Sequence, residues 1–210
     1  MSYWMTQSLL SSWRHLIDAE DPQAEKAMQS FLADLHREKR SPTDAMKRGI
    51  QFEDAINRAV AGEAPELNDK STVNAVKRLA NICWGGQAQV PVSGRLSVGG
   101  LDLVLFGICD YVKAGIIYDI KRVIRYTYGK YQNSPQHPMY LHLIPQAARF
   151  DYLIFDGTFC YRETYCRGDF QPIENTIAQF IQFLREMNLL DDYKTHWSMN
   201  EEREDKIYGV

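Results

Sequence analysis

Apolar residues recur at helical spacing in the first part of the chain and alternate in the second. Residues 6–17 and 22–38 carry hydrophobic side chains every three or four positions and read as helices, the second opened by Asp21-Pro22 at its N-cap and first position. Ser41-Pro42-Thr43-Asp44 reads as a capping box with proline at the first helical position, so a third helix is expected over 42–61. A fourth follows over 70–82. Then the period shortens. Residues 87–98 alternate polar and apolar around Ser93-Gly94, residues 101–112 are nearly all apolar, and 116–124 are rich in isoleucine, valine and tyrosine. These are strands, the last two joined as a hairpin at Lys113-Ala114-Gly115. A short helix near 138–144, strands at 148–155 and 158–166 meeting at Asp156-Gly157, and a helix at 172–189 complete the pattern. Helices, an antiparallel meander, then helix and strands again predict an α/β fold with a mixed sheet. One domain is expected over 1–190, followed by an acidic tail at 191–210.

Four polar residues break this pattern. At about 100° per residue, Ala45, Met46, Gly49, Ile50, Phe52, Ile56 and Val60 share one side of the third helix, and Glu53 falls in the middle of it. A carboxylate there costs several kcal/mol (roughly) unless a partner satisfies it. Gly49, one turn earlier, leaves room for close backbone approach. Asp110 interrupts Phe106, Gly107, Ile108, Cys109, Tyr111 and Val112 on a strand, where aspartate is a poor fit. Asp119 repeats the anomaly in Ile116-Ile117-Tyr118-Asp119-Ile120-Lys121. Asp119 and Lys121 are two apart and share one face of the sheet. The turn brings Asp110 and Asp119 together as opposite or diagonal neighbours, which repel unless a cation lies between them. Two or three carboxylate oxygens are the ligands that magnesium prefers. A solvated Asp–Lys pair is the bland alternative for Asp-x-Lys by itself.

Charge and composition narrow the reading. The net charge is −3, so no global basic surface marks nucleic acid. From Lys113 to Tyr131, however, five basic residues (Lys113, Lys121, Arg122, Arg125, Lys130) face one acid, Asp119, and Tyr126, Tyr128 and Tyr131 are interleaved with them. Such a stretch grips phosphates and stacks bases, or is a solvated loop whose tyrosines pack on the core. Four cysteines without CxxC spacing argue against zinc and iron–sulfur sites and for a reducing, cytoplasmic setting. No apolar run of about 18 residues spans a membrane, and Met1–Ile17 lacks the order of a signal peptide. The five histidines show no ligand spacing, and Trp4, Trp13, Trp84 and Trp197 read as core anchors.

The combination is more specific than its parts. Gly49-Ile50-Gln51-Phe52-Glu53 on a helix, Gly107-Ile108-Cys109-Asp110 ending a strand, Asp119-Ile120-Lys121 on the next and Gln136-His137-Pro138-Met139-Tyr140 after it occur in that order. Over residues 45–145 the chain resembles the PD-(D/E)XK nuclease superfamily, in the branch of RecB-type nuclease domains and phage-type exonucleases. Thr6-Gln7-Ser8-Leu9-Leu10 is loosely similar to the opening segment of that branch. Cys109 stands where the signature has proline. The resemblance implies a restriction-endonuclease-like mixed central sheet flanked by helices. It implies that Glu53, Asp110, Asp119 and the backbone carbonyl of Ile120 ligand Mg2+ or Mn2+, that Lys121 assists the attacking water, and that Gln136 and Tyr140 contact DNA or support the site. Arg122, Arg125 and Lys130 are expected on the DNA. Pro138 leaves the start of its helix open: a start at Pro135 costs one early N–H, whereas a start at Pro138 puts Gln136 outside. The implied activity is that of a magnesium-dependent deoxyribonuclease, an exonuclease of recombination, repair or phage replication, with DNA, a recombination or phage protein and further copies of itself as partners. An inactive nuclease-like DNA-binding module is the alternative. The intact Glu, Asp, Asp, Lys set weighs against it, since a pure binder has no need of carboxylates facing phosphate.

Overall fold

Helix starts follow the side chains able to cap them. In the computed structural model, which describes residues 1–64, 67 and 69–199, a strand β1 (Ser2–Thr6) runs into helix α1 (Gln7–Ile17), whose Leu9 N–H is accepted by the Thr6 hydroxyl. Helix α2 (Ala24–Leu35) follows, then α3 (Asp44–Val60), capped by Thr43, and α4 (Lys70–Cys83), capped by Asp69. Two starts differ from expectation. Thr43, not Ser41, accepts the orphan N–H of Met46, so Pro42 stays outside α3. Asp21-Pro22 lies in a turn, and α2 begins beyond it without a side-chain cap.

The remaining elements are β2 (Gln87–Val98), β3 (Leu101–Lys113), β4 (Ile116–Arg122), α5 (Gln136–Leu143), β5 (Arg149–Phe155), β6 (Cys160–Cys166), α6 (Ile173–Glu186) and α7 (Leu190–Trp197). The six strands form one mixed sheet, flanked among the described residues by seven helices. This is the restriction-endonuclease-like arrangement that was expected. β3 is its spine. β2 runs antiparallel along one edge, from Gln87↔Val112 to Val98↔Leu101. The other edge is divided: β1 pairs in parallel with Asp102–Phe106, and β4 pairs antiparallel with Tyr111–Lys113 alone. Residues 107–110 therefore face a fork between two strands. β4 pairs in parallel with β5, and β5 antiparallel with β6.

Three packed layers hold the sheet. α1, α2, α6 and α7 cover β1 and the first half of β3 through Trp4, Trp13, Phe31, Phe180 and Tyr193. Each such fully buried side chain contributes about 1.5–3 kcal/mol before entropy is counted. α3 and α4 pack on Tyr111, Tyr118, Ile120, Leu153 and Phe155. α5 packs on Cys109, Ile117, Phe150 and Tyr152. Cys109 and Tyr111 are two residues apart on one strand yet belong to different layers, so the alternation of faces is broken at Asp110.

Several expectations are corrected here. β1 and α7 were not foreseen. α7 falls where the acidic tail was expected to begin, but Tyr193 and Trp197 are buried and donate to the carbonyls of Trp4 and Leu35, both at 2.8 Å. Residues 200–210 of the expected tail lie outside the described residues. Trp84 is 68% exposed, so it anchors no core. Met46 and Ile50 are exposed, because α3 buries Phe52, Ala55 and Ile56 instead. Nothing lies within 4 Å of where a Gly49 side chain would stand, so that glycine serves no close approach.

Candidate active site

The fork in the sheet is where the anomalous polar residues meet. The β3–β4 ladder ends at Tyr111↔Tyr118. One step further it would place Asp110 opposite Asp119. Instead the strands part, and Asp110 Oδ2 accepts the Ile120 N–H at 2.7 Å. Asp119 stays on β4, paired to Tyr152 of β5, and is buried at 4% exposure. Its Oδ1 accepts from Gln136 Nε2. Its Oδ2 lies 2.6 Å from Lys121 Nζ but receives no well-aligned hydrogen bond. Glu53 reaches the fork from α3, half-buried, with Oε1 accepting from Gln89 Nε2 at 2.6 Å.

The electrostatics are those of crowded acids. Burial, then the charges of Asp119 and Glu53, holds the Asp110 carboxyl well above the usual range, against the pull of the Ile120 N–H and Lys121. Burial also raises Glu53, aided by Asp119 and opposed by the Gln89 bond. For Lys121, burial alone would favour the neutral amine, but Asp119, with Asp110 and Glu53, more than reverses it. Lys121 is thus a held cation rather than a free base. Among the described residues, Glu53 Oε2 and Asp110 Oδ1 have no protein hydrogen bond, and Asp119 Oδ2 is met by the Lys121 ammonium. Three hard oxygens on mutually repelling acids suit a magnesium-type ion in chemistry. As placed, however, no three His, Cys, Asp or Glu side chains among the described residues converge closely enough to hold one.

α5 supports the fork from behind. It begins at Gln136, so Pro138 occupies the first turn, where its missing N–H has no intrahelical partner to lose. Gln136 and Tyr140 therefore lie one turn apart on one face. Gln136 holds Asp119, and the Tyr140 hydroxyl donates to the Ile108 carbonyl at 2.9 Å. The hydroxyl end of the Tyr140 side chain lies against Gly107, where an added Cβ would stand 2.5 Å from a ring carbon and 2.6 Å from the hydroxyl oxygen. This gives the Gly107–Asp110 motif a physical reason: only glycine lets α5 reach β3 there. His137 beside them is fully buried and stacked on Tyr165 at 3.9 Å, and burial depresses it to about 3, so it stays neutral.

The basic stretch divides into anchors and exposed groups. Arg122 donates to the carbonyls of Val123 and Phe155 and lies 4.7 Å over the Phe155 ring, so its guanidinium is largely taken up. Tyr126 donates to Glu163 at 2.5 Å, and Tyr131 stacks on Tyr152 at 4.4 Å. Tyr128, at 86% exposure, and Ile124, at 81%, face outward. Arg125 and Lys130 are exposed and join Arg48 of α3 around a cleft of about 520 Å3. A second cleft of about 430 Å3, lined by Arg14, Lys121, Lys130 and Gln136, opens beside the fork. Arg48, Gln89 and Glu163 were missed from sequence. Arg48 looks like any solvated helix cation, and Gln89 and Glu163 are ordinary polar residues of alternating strands.

No family model and no curated protein matches the chain. Among solved structures, the crystal structure of SSO0001 aligns with a TM-score of 0.52 and 12% identity, covering 88% of this chain and 76% of that one. LHK-Exo in complex with dAMP aligns with a TM-score of 0.44 and 14% identity, covering 91% of each chain. Scheffersomyces stipitis Rai1 aligns with a TM-score of 0.34 and 16% identity, covering 88% of this chain and 61% of that one. The likeness to SSO0001 is one of fold, and fold alone assigns no chemistry.

Proposed function

We propose that the chain is a magnesium- or manganese-dependent deoxyribonuclease, an exonuclease of recombination, repair or phage replication. The observation that carries this reading is the fork: three acids in one another's field, Glu53 and Asp110 each with an oxygen to spare and Asp119 paired to a lysine held charged. Glu53, Asp110, Asp119 and the Ile120 carbonyl would hold the ion, which supplies Lewis acidity and lowers the proton affinity of a bound water. The protein's own share is orientation and charge. Lys121 steadies the negative charge that builds on the phosphate as water attacks in line. Gln136 fixes Asp119, and Tyr140 fixes β3 beside the fork through Ile108. Arg48, Arg125 and Lys130 draw the phosphate backbone towards the fork, with Tyr128 and Ile124 available to bases. No helix among the described residues is long and apolar enough to cross a membrane, and a cytoplasmic setting is part of the proposal.

A nuclease-like DNA-binding module is the second reading, favoured by the lack of three converging ligands among the described residues. End-labelled single- and double-stranded DNA with magnesium, manganese or calcium separates the two. The nuclease reading expects cleavage with the first two ions, none in EDTA and none for Asp119→Ala. DNA binding without cleavage under every ion would establish the module instead.

A further inference from the structure

Gln89 sits where a regular strand residue would not. β2 pairs with β3 at Ala88↔Tyr111 and again at Val90↔Cys109, but the row between them, Gln89 opposite Asp110, is missing from the ladder. Gln89 has φ +50°, a left-handed backbone that residues bearing a Cβ avoid. The break in the alternation of β3 falls on this same row. Out of it the Gln89 side chain reaches α3, where Nε2 stands 2.6 Å from Glu53 Oε1. A single irregular row thus ties the sheet position facing Asp110 to the carboxylate on the helix.

We infer that Gln89 is a positioning residue that keeps Glu53 at the fork, with one carboxylate oxygen and its charge left for a cation shared with Asp110 and Asp119. The inference rests on the cation-binding reading above. Glycine would meet the backbone demand at φ +50° without penalty, so what glutamine adds is the amide. An amide donor engages one oxygen of Glu53 without neutralising it. The second oxygen and the full negative charge remain for the ion. A lysine or arginine in that place would compete with the ion instead. Carboxylates that ligate metals are themselves commonly hydrogen-bonded, and losing such a partner costs about 10–100-fold in metal affinity.

Manganese titration by calorimetry on the full chain tests this, with Gln89→Gly and Gln89→Asn each made alone and together with Glu53→Gln. Gln89→Gly keeps the backbone free to adopt its angle, and asparagine is one methylene too short to reach Glu53. Both should bind manganese about 10–100-fold more weakly than the parent, with a melting temperature in EDTA no lower than that of the parent. In the Glu53→Gln background the Gln89 changes should add no further loss, because the residue acts through Glu53. Parental or tighter manganese binding by Gln89→Gly overturns the inference, as does an equal loss in both backgrounds. A lowered melting temperature in EDTA would assign the bond to the fold. A parent protein that binds no manganese overturns the cation reading itself, and that outcome is visible before any Gln89 variant is made.

Discussion

Two buried acids flank Tyr152 in a single row of the sheet, Asp119 on β4 and Glu163 on β6. They are almost equally buried, at 4% and 3% exposure. Their surroundings differ completely. Glu163 accepts from the hydroxyls of Tyr126 and Tyr165 and from the Tyr131 N–H. Burial, with the Glu163 charge, pushes both phenols up, so they remain protonated donors. Asp119 shares its space with Asp110 and Glu53, and one of its oxygens is met by the Lys121 ammonium. A carboxylate satisfied on both oxygens latches the loop at 126–131 to β6. A carboxylate set among other acids and held by a charged lysine is instead the kind of perturbed group that clusters at functional sites.

The comparison breaks first at Asp119 and Lys121. Asp119→Ala should reduce DNA cleavage to background and abolish manganese binding. Lys121→Ala should lose about 100–1,000-fold in kcat, as when one preorganised donor is removed, yet keep its manganese affinity in calorimetry. Equal manganese affinity in the two variants would undo the division of roles between ligand and charge stabiliser.

Glu163→Ala should act in the opposite way. It strands two hydroxyls and one N–H, which costs about 2–4 kcal/mol and lowers the melting temperature of a chain this size by about 10 °C. Manganese affinity in the folded protein should not change. Reduced manganese affinity at full stability would mean that Glu163 belongs to the site.

The glycine under Tyr140 tests how rigidly the fork is backed. Gly107→Ala sets a methyl group 2.5 Å from the ring, an overpacking worth about 1–3 kcal/mol of stability. Tyr140→Phe in the same background should recover only part of the loss, because it removes the hydroxyl at 2.6 Å and leaves the ring carbons at 2.5 and 2.8 Å. An alanine variant that melts with the parent would show that α5 yields freely.

Much of this was legible in the sequence, for reasons that differ by residue. Strong periodicity revealed α1, α3, α4 and β2 to β6 nearly to the residue, and Asp110, Asp119 and Lys121 stood out because charged groups are foreign to buried strands. Glu53 stood out on a helix face, although that face proved to lie at the border of the core, with Met46 and Ile50 outside it. α7 hid because Asp191, Asp192, Lys194 and His196 outweigh the two aromatic residues that bury it. β1 hid because five residues ahead of a helix carry too little pattern. Gln89 gave no signal at all: a left-handed glutamine is a tertiary fact, set by the row opposite Asp110. Arg122 and Tyr131 were misleading for a related reason, since interleaved cations and tyrosines look alike whether they face solvent or a neighbouring ring.

The smallest expected effect is the most discriminating. Asp110→Asn preserves shape, and its amide oxygen can still accept the Ile120 N–H. What it removes is one charge among three. In the metal-free protein the folded Asp110 carboxyl titrates well above its unfolded value, held up by burial, Asp119 and Glu53. From the ordinary aspartate range, about 3.9, up to that raised value, the folded state binds more protons than the unfolded state. Stability therefore falls as pH rises through this window, and the cost is complete above it. Melting in EDTA should show the parent losing stability as pH rises from the acid range, with Asp110→Asn losing less. At pH 8 the variant should be as stable as the parent or more so, by about 1 kcal/mol, while cleavage disappears. Magnesium should then raise the melting temperature of the parent more than that of the variant, since an ion that binds only the folded state stabilises it by mass action. A structural aspartate behaves in the reverse sense, as Glu163 should: a drop of several degrees for Asp110→Asn in EDTA at pH 8 would place Asp110 with Glu163 among the latches and remove it from the site.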